Sequence, residues 1–225
     1  MEKSQKNLDV VYLLKPCSED KELRYSLRSL VNLKHRNVYI YGGNLPWLDN
    51  IKWIAHTQTG VDKWHKSNSS FLEACRNPEI SEDFILMNDD FFVMEPTELN
   101  YFYYGTLKER GQRVDSLSKI LLKQDSLLRE LNKPTKNYAL HMPMIFNKKK
   151  ALELSEKFPD ELIGRSLYAN YYELGGESRP DCKIYSFTKP AYNTFLSTTD
   201  TSFTYGEAGK LIRQKFDKPC KYERI

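Results

Sequence analysis

The chain has no paired cysteine spacing. Its four cysteines, Cys17, Cys75, Cys182 and Cys220, stand far apart and form no C-x-x-C; this argues against a zinc knuckle or a dithiol redox motif and predicts reduced structural thiols. Long hydrophobic runs are also missing. The amino-terminal "MEKSQKNLDVVYLL" offers too few consecutive apolar residues for a signal-peptide core, and falls well short of the about 20 that span a bilayer. The expectation is therefore a cytoplasmic chain with no transmembrane segment. Nor is there a surplus of one charge: 34 basic residues face 30 acidic ones, for a net charge of +4. Charges this mixed do not make the concentrated basic face of a nucleic-acid binder, so no nucleic-acid partner is expected. Mild basicity suits a phosphorylated or acidic-glycan substrate, and the basic run "FNKKK" allows peripheral contact with a membrane surface, although such a run is usually a solvated helix face. With no internal repeat and no low-complexity linker, residues 1–225 are read as one domain.

What the chain does have is a globular composition, with 40% hydrophobic, 13% aromatic and 28% charged residues, enough to bury a sizeable core. "LDVVYLL" is a short apolar run read as a buried strand ending at Lys15-Pro16. In "SEDKELRYSLRSL" the residues Leu23, Leu27 and Leu30 recur at helical spacing. Ser18 is the expected N-cap, with acidic residues in the first turn, and Arg24 and Arg28 lie one turn apart on one face. "RNVYIYGG" and "IKWIAHT" read as strands, "SNSSFLEACRNPEI" as a helix capped from Ser67–Ser70, and "DFILMN" as a third long apolar strand. Alternation of this kind predicts an α/β fold with a mostly parallel sheet and flanking helices.

Residues 105–135 turn polar, with leucines at helical spacing. They are read as one or two amphipathic helices forming an insertion or lid. Downstream, "YALHMPMIFNKKKALELSEKF" predicts a strand and a helix, and "RSLYANYYELGG" a helix ended by Gly175-Gly176. "DCKIYSF" and "NTFLSTTD" read as short strands, and "GEAGKLIRQKF" as a final helix.

The stretch "EDFILMNDDFFV", residues 82–93, places Asn88, Asp89 and Asp90 between two apolar runs. In an open α/β sheet, ligands sit at the carboxyl ends of the strands, where this triplet falls. Adjacent buried carboxylates repel and are costly to desolvate, so they must be neutral or face a cation. Magnesium or manganese held by Asp89 and Asp90, together with the phosphate oxygens of a nucleotide sugar, would meet that need. Hairpin tips and caps also use Asp and Asn freely, so turn chemistry is the competing explanation.

In order along the chain, "KELRYSLRSL", "NLPWLDN", "ISEDFILMNDDFFV", "LHMPMIFNKKKALEL" and "FLSTTDTSF" with a later "KYE" resemble the Stealth family, from Asp9 to Glu223. These are hexose-1-phosphate transferases of bacterial capsule synthesis, related to the lysosomal-enzyme N-acetylglucosamine-1-phosphotransferase. The resemblance implies a GT-A-like fold, a UDP-linked sugar as donor, a glycan acceptor and a Mg²⁺ or Mn²⁺ ion at Asp89 or Asp90. It implies that Asp9, Tyr12, Arg24, Arg28 and Asn88 line or support the nucleotide pocket, with the paired arginines suited to phosphate oxygens. His141 becomes the general base. Arg165 stabilises charge at the phosphorus or on the leaving group, and Asp200 orients His141 or the acceptor.

One departure stands out: the family's first block reads D-I-V-Y-T-W-V-D/N, whereas this chain has "DVVYLLKP", which bears on the choice of donor and acceptor. The leading expectation is transfer of a sugar-1-phosphate. The alternatives are glycosyl transfer with release of UDP, and a non-catalytic glycan-binding module suggested by 15 Tyr, 11 Phe and 3 Trp.

Overall fold

The structure is a computed structural model and describes residues 8–15, 20–113, 115–191 and 193–224. Its elements run β1 (Asp9–Leu14), α1 (Lys21–Ser29), β2 (Val38–Gly42), β3 (Lys52–Ile54), α2 (Lys63–Arg76), β4 (Asp83–Met87), β5 (Phe91–Val93), β6 (Phe102–Tyr103), α3 (Leu107–Gly111) and α4 (Ser118–Glu130). They continue as β7 (Met144–Asn147), α5 (Lys148–Lys157), α6 (Arg165–Tyr171), β8 (Glu177–Ser178), β9 (Lys183–Ile184), β10 (Phe195–Thr198), α7 (Asp200–Tyr205) and α8 (Glu207–Lys215). The central sheet has the order β3-β2-β1-β4-β7. Its β1–β2, β1–β4 and β2–β3 pairs are parallel, and β4–β7 is antiparallel. The fold is thus mixed α/β with a mainly parallel sheet and flanking helices, as the alternation in the sequence predicts.

The reason lies in β1, which is paired on both edges and covered on both faces, so that nearly every residue of "DVVYLL" is buried. Successive strand residues point to opposite faces. Val10, Tyr12 and Leu14 accordingly pack with Leu23, Leu27 and Leu30 of the α1 segment in one core. Val11 joins Phe71 and Ala74 of α2 in a second core on the other face. At about 1.5–3 kcal/mol for each fully buried large aliphatic side chain, these two layers supply much of the driving force for folding.

Helix starts differ from the sequence reading. Ser18 lies outside the described residues. α1 is capped by Asp20, whose side chain accepts from the Leu23 N–H at 2.8 Å. α2 begins a turn earlier than expected, because Asp62 accepts from the N–H groups of Trp64 and His65. Ser67–Ser70 therefore sit inside the helix rather than at its cap. α6 ends at Tyr171, short of Gly175.

The polar stretch 105–135 forms α3 and α4 as expected, but it is no detached flap. Leu107, Leu121 and Leu128 sink into the core shared with α2 and β4. In the run "FNKKK", Lys148 is turned inward and donates to the carbonyls of Asn77 and Ile80, each at 2.7 Å. Among the described residues no helix is long and apolar enough to cross a membrane.

Candidate active site

From β1 the chain moves outward to β2 and β3, then returns to β4 on the other side of β1. Connections that diverge this way open a crevice at the carboxyl ends of the strands. At the end of β4 the chain turns through Asn88-Asp89-Asp90, closed by the Phe91 N–H donating to the Asn88 carbonyl at 3.2 Å. It then enters β5, which belongs to a small sheet of order β5-β10-β9. A cavity of about 370 Å³ opens here, with Leu13, Trp64, Asn88, His141, Arg165 and Tyr185 among its walls.

The Asp90 carboxylate accepts from the Lys183 ammonium and from the Ser197 hydroxyl (3.2 Å) through Oδ2. Its Oδ1 is buried and has no hydrogen-bond partner among the described residues. Behind it, Thr198 donates its hydroxyl to Glu22 Oε1, and Glu22 is also hydrogen-bonded to Asp200. Burial comes first, and with the bond and charge of Asp200 and the charge of Asp90 it outweighs the Thr198 bond, pushing the Glu22 carboxyl up to about 8. Glu22 is therefore protonated at neutral pH. Asp89 faces Asp20; burial first, then the Asp20 and Asp90 charges, raise its pKa as well.

On the cavity wall, His141 Nδ1 meets Asp181 Oδ2 at 2.7 Å, while the His141 backbone N–H donates to Asp181 Oδ1 at 2.8 Å. A carboxylate on Nδ1 favours the tautomer with the proton there, which leaves Nε2 as the acceptor. Burial opposes ionisation of Asp181, but the His141 bond and charge prevail and hold its carboxyl below the usual range. Cys182 donates its thiol to the His141 carbonyl at 2.9 Å, fixing the same segment from the other side.

Arg165 opens α6 and lies over the Phe91 ring, 5.3 Å from its centroid. The His141 ring meets that same phenylalanine edge-on at 6.3 Å. Phe91 is therefore a common floor that brings base and guanidinium together. Nε and Nη2 of Arg165 are buried without hydrogen-bond partners among the described residues. Burial pushes its pKa down to about 10, against the pull of the Asp90 and Asp181 charges.

Several residues singled out in the sequence lie elsewhere. Asp9 is at the amino end of β1, opposite the crevice. Its carboxylate is consumed by Arg36 (Nε at 2.8 Å) and by the backbone N–H groups of Asn37 and Ser81, so it ties strands together instead of lining a nucleotide pocket. Tyr12 is fully buried beneath the crevice and shares a 2.9 Å hydrogen bond with Ser26, which donates to the Phe91 carbonyl at 2.6 Å. It supports the turn and does not face the cavity. Arg24 and Arg28 are no phosphate fork, because both close on Glu223 near the carboxyl end of the chain. Asp200 does not orient His141, since Asp181 does that and Asp200 pairs with Glu22.

Asn88, Asp89, Asp90, His141, Arg165 and Asp200 are brought to one region. Glu22, Asp181 and Lys183 join them unforeseen. A signal for the last two was present: in the extended "DCK", residues 181 and 183 fall on one face and residue 182 on the other. Glu22 was read only as an acid favouring the start of a helix.

The residues present do not fit the expected divalent ion. Asp89 is turned to Asp20, Asp90 Oδ2 is taken by Lys183, and among the described residues no three His, Cys, Asp or Glu side chains are grouped to hold a metal.

No protein-family model matches the chain, and no curated protein matches it. Among solved structures, it is similar to the galactosyltransferase LgtC in complex with donor and acceptor sugar analogues, at 11% identity and a TM-score of 0.41, over 72% of this chain and 68% of that one. It is also similar to the glycosyltransferase GlyE of Streptococcus pneumoniae, at 12% identity and a TM-score of 0.34, over 95% of this chain and 52% of the other, about half of that protein's length.

Proposed function

We propose that the chain is a transferase that takes a UDP-linked sugar in the cavity at the carboxyl ends of β1 and β4 and moves a sugar-1-phosphate to a hydroxyl of a glycan acceptor. One observation carries this reading: Arg165, whose buried Nε and Nη2 have no hydrogen-bond partner among the described residues, lines the same cavity as His141, which Asp181 holds, while the equally unpartnered Asp90 Oδ1 belongs to the turn whose Asn88 and Phe91 line it. Buried polar atoms are nearly always paired. Leaving one unpaired costs about 1–3 kcal/mol, so such a group signals a missing ligand. An unpaired guanidinium calls for an anion, and a phosphoryl group presents oxygens that accept two N–H bonds at once. An unpaired carboxylate oxygen calls for a donor, which a sugar hydroxyl provides.

In this reading the acceptor hydroxyl gives its proton to His141 Nε2 while its oxygen attacks the β-phosphorus. The bond from that phosphorus to the bridging oxygen breaks, and UMP leaves with the electron pair. Asp181 holds the imidazole in the right tautomer and stabilises the imidazolium that forms. Arg165 offsets the charge that builds on the phosphoryl oxygens, at a buried place where a fixed cation is worth more than in water. The mainly parallel sheet with one antiparallel strand beside β4 supports a GT-A-like arrangement, and activated sugars of this type would place the protein in the cytoplasm.

The test is to incubate the full chain with UDP-N-acetylglucosamine and candidate glycans and to identify the freed nucleotide. UMP together with a phosphodiester-linked product is the expected result. UDP alone would mean that the anomeric bond is the one broken, and the chain would be a glycosyltransferase.

A further inference from the structure

We propose that the Lys183 ammonium is the resident cation of this site, occupying the place at Asp90 that a divalent ion would take, so that the donor is bound without metal. The inference rests on the reading of the cavity as a nucleotide-sugar site. It starts from a strand. β9 pairs in parallel with β10, with Lys183 opposite Ser197, and this register carries the lysine side chain across to the turn after β4. There its head is fixed by the Asp90 carboxylate and the Thr198 carbonyl, and only 11% of the side chain is exposed.

An ammonium has three donors. Two are used within the protein, so one remains for a phosphoryl oxygen. The surrounding charge explains why a cation is wanted: the Asp90 carboxylate is in contact with it, and the exposed Asp200, bonded to Glu22, lies behind Thr198. Asp89 and Asp20 face each other across the turn. Arg165 is a second positive group near enough to feel the Asp90 charge. A divalent ion on the same carboxylate would have to expel the ammonium from Oδ2 or share the carboxylate with it, against the repulsion of like charges at contact distance.

The same short segment serves the base. Residues 181 and 183 alternate onto one face, so Asp181 orients His141 while Lys183 neutralises Asp90. One strand thus aligns the proton acceptor with the cation that receives the phosphoryl group.

The decisive measurement is titration of Mn²⁺ into the full chain, followed by the electron paramagnetic resonance signal of the free ion. The wild type is expected to leave the signal unchanged. K183A, which vacates Asp90, is expected to bind Mn²⁺ at least about tenfold more tightly than the wild type; K183R, which keeps the charge, is expected to behave like the wild type. A one-to-one Mn²⁺ site in the wild type that D90N removes would overturn the proposal.

A second arm measures the thermal shift given by UDP-N-acetylglucosamine in EDTA and in Mn²⁺. Equal shifts support the lysine. A shift that appears only with Mn²⁺ overturns it while upholding the donor reading. No shift in either condition overturns the donor reading, and the resonance experiment still decides the role of Lys183.

Discussion

Two arginine sites in this molecule look alike in the sequence and differ in every physical respect. Arg28 commits most of its guanidinium N–H groups, to Glu223 Oε1 (2.7 Å) and Oε2 (2.8 Å) and to the carbonyls of Phe216 (2.9 Å) and Asp217 (3.1 Å). Arg24 adds a bond to the same carboxylate while stacking 4.2 Å from the Trp47 ring centroid. Burial opposes the charge on Glu223, yet the Arg28 bonds, the Cys220 N–H and the Arg24 bond outweigh it and hold the carboxyl at about 2. Arg165, by contrast, has two buried nitrogens with no hydrogen-bond partner among the described residues and a lowered pKa. A satisfied cluster holds the fold together. An unsatisfied one stores free energy that a ligand can recover.

The sharpest way to break this contrast is at the base. His141→Ala should lower turnover by about 10²- to 10⁴-fold, as expected for loss of a general base, with little change in melting temperature, since its side chain is a third exposed. Steady-state rates and a melt on the same preparation would check it. Unchanged turnover would remove His141 from the chemistry.

Next come the two arginines, exchanged for the same residue. Arg28→Met leaves Glu223 buried without its main partner and should destabilise the chain by about 3–5 kcal/mol in urea melts. Arg165→Met removes a buried charge whose Nε and Nη2 have no hydrogen-bond partner among the described residues. It should leave stability unchanged or raise it by about 1 kcal/mol, while cutting donor-dependent activity by about 10²-fold or more. If both variants lost stability equally, the distinction between clamp and site would fail.

The smallest effect is in the pH dependence, where the two regions act with opposite signs. The depressed Glu223 pKa contributes stability that is full above its ordinary value of 4.5 and is lost as the pH falls through about 2. The raised Glu22 pKa does the reverse. Between its ordinary 4.5 and about 8 the folded state holds a proton that the unfolded chain has released, so this group's contribution is full below the lower value and is lost as the pH rises through the upper one. Glu22→Gln should flatten the decline in stability from pH 5 to 8, and a Glu223→Gln variant should flatten the acid limb. Melts across the pH range would show both slopes, and an unaltered upper slope in Glu22→Gln would rule out Glu22 as its source.

Much of the architecture was legible because it depends on local periodicity. β1, β2 and β4 are apolar runs that fit a strand covered on both faces, and α1 has its leucines at i, i+4 and i+7. The turn at Asn88–Phe91 was legible because its residue types favour turns. Helix starts were misplaced where one capping side chain, Asp62 or Asp20, decided them, since an aspartate's effect depends on which N–H groups it can reach. Of the candidate site, the acidic doublet stood out by its place after an apolar strand, while His141 and Arg165 were expected only from the family resemblance. Asp181 and Lys183 could be put on one face by the alternation of "DCK" and Glu22 carried no signal, but for none of the three was the partner readable, because an isolated charge carries no mark of its partner.

By itself, the sequence determined where strands and helices form, that they alternate into a mainly parallel sheet, and that an acidic turn ends the central strand, because these depend on side-chain periodicity and turn preference over a few residues. Only the tertiary structure decided which charges are spent and which are free. Arg28 finds its partner 195 residues away, and Asp90 meets Lys183 at a separation of 93. Such pairings depend on the register of distant strands, and no local pattern encodes whether a buried charge ends with a partner or waits for a ligand.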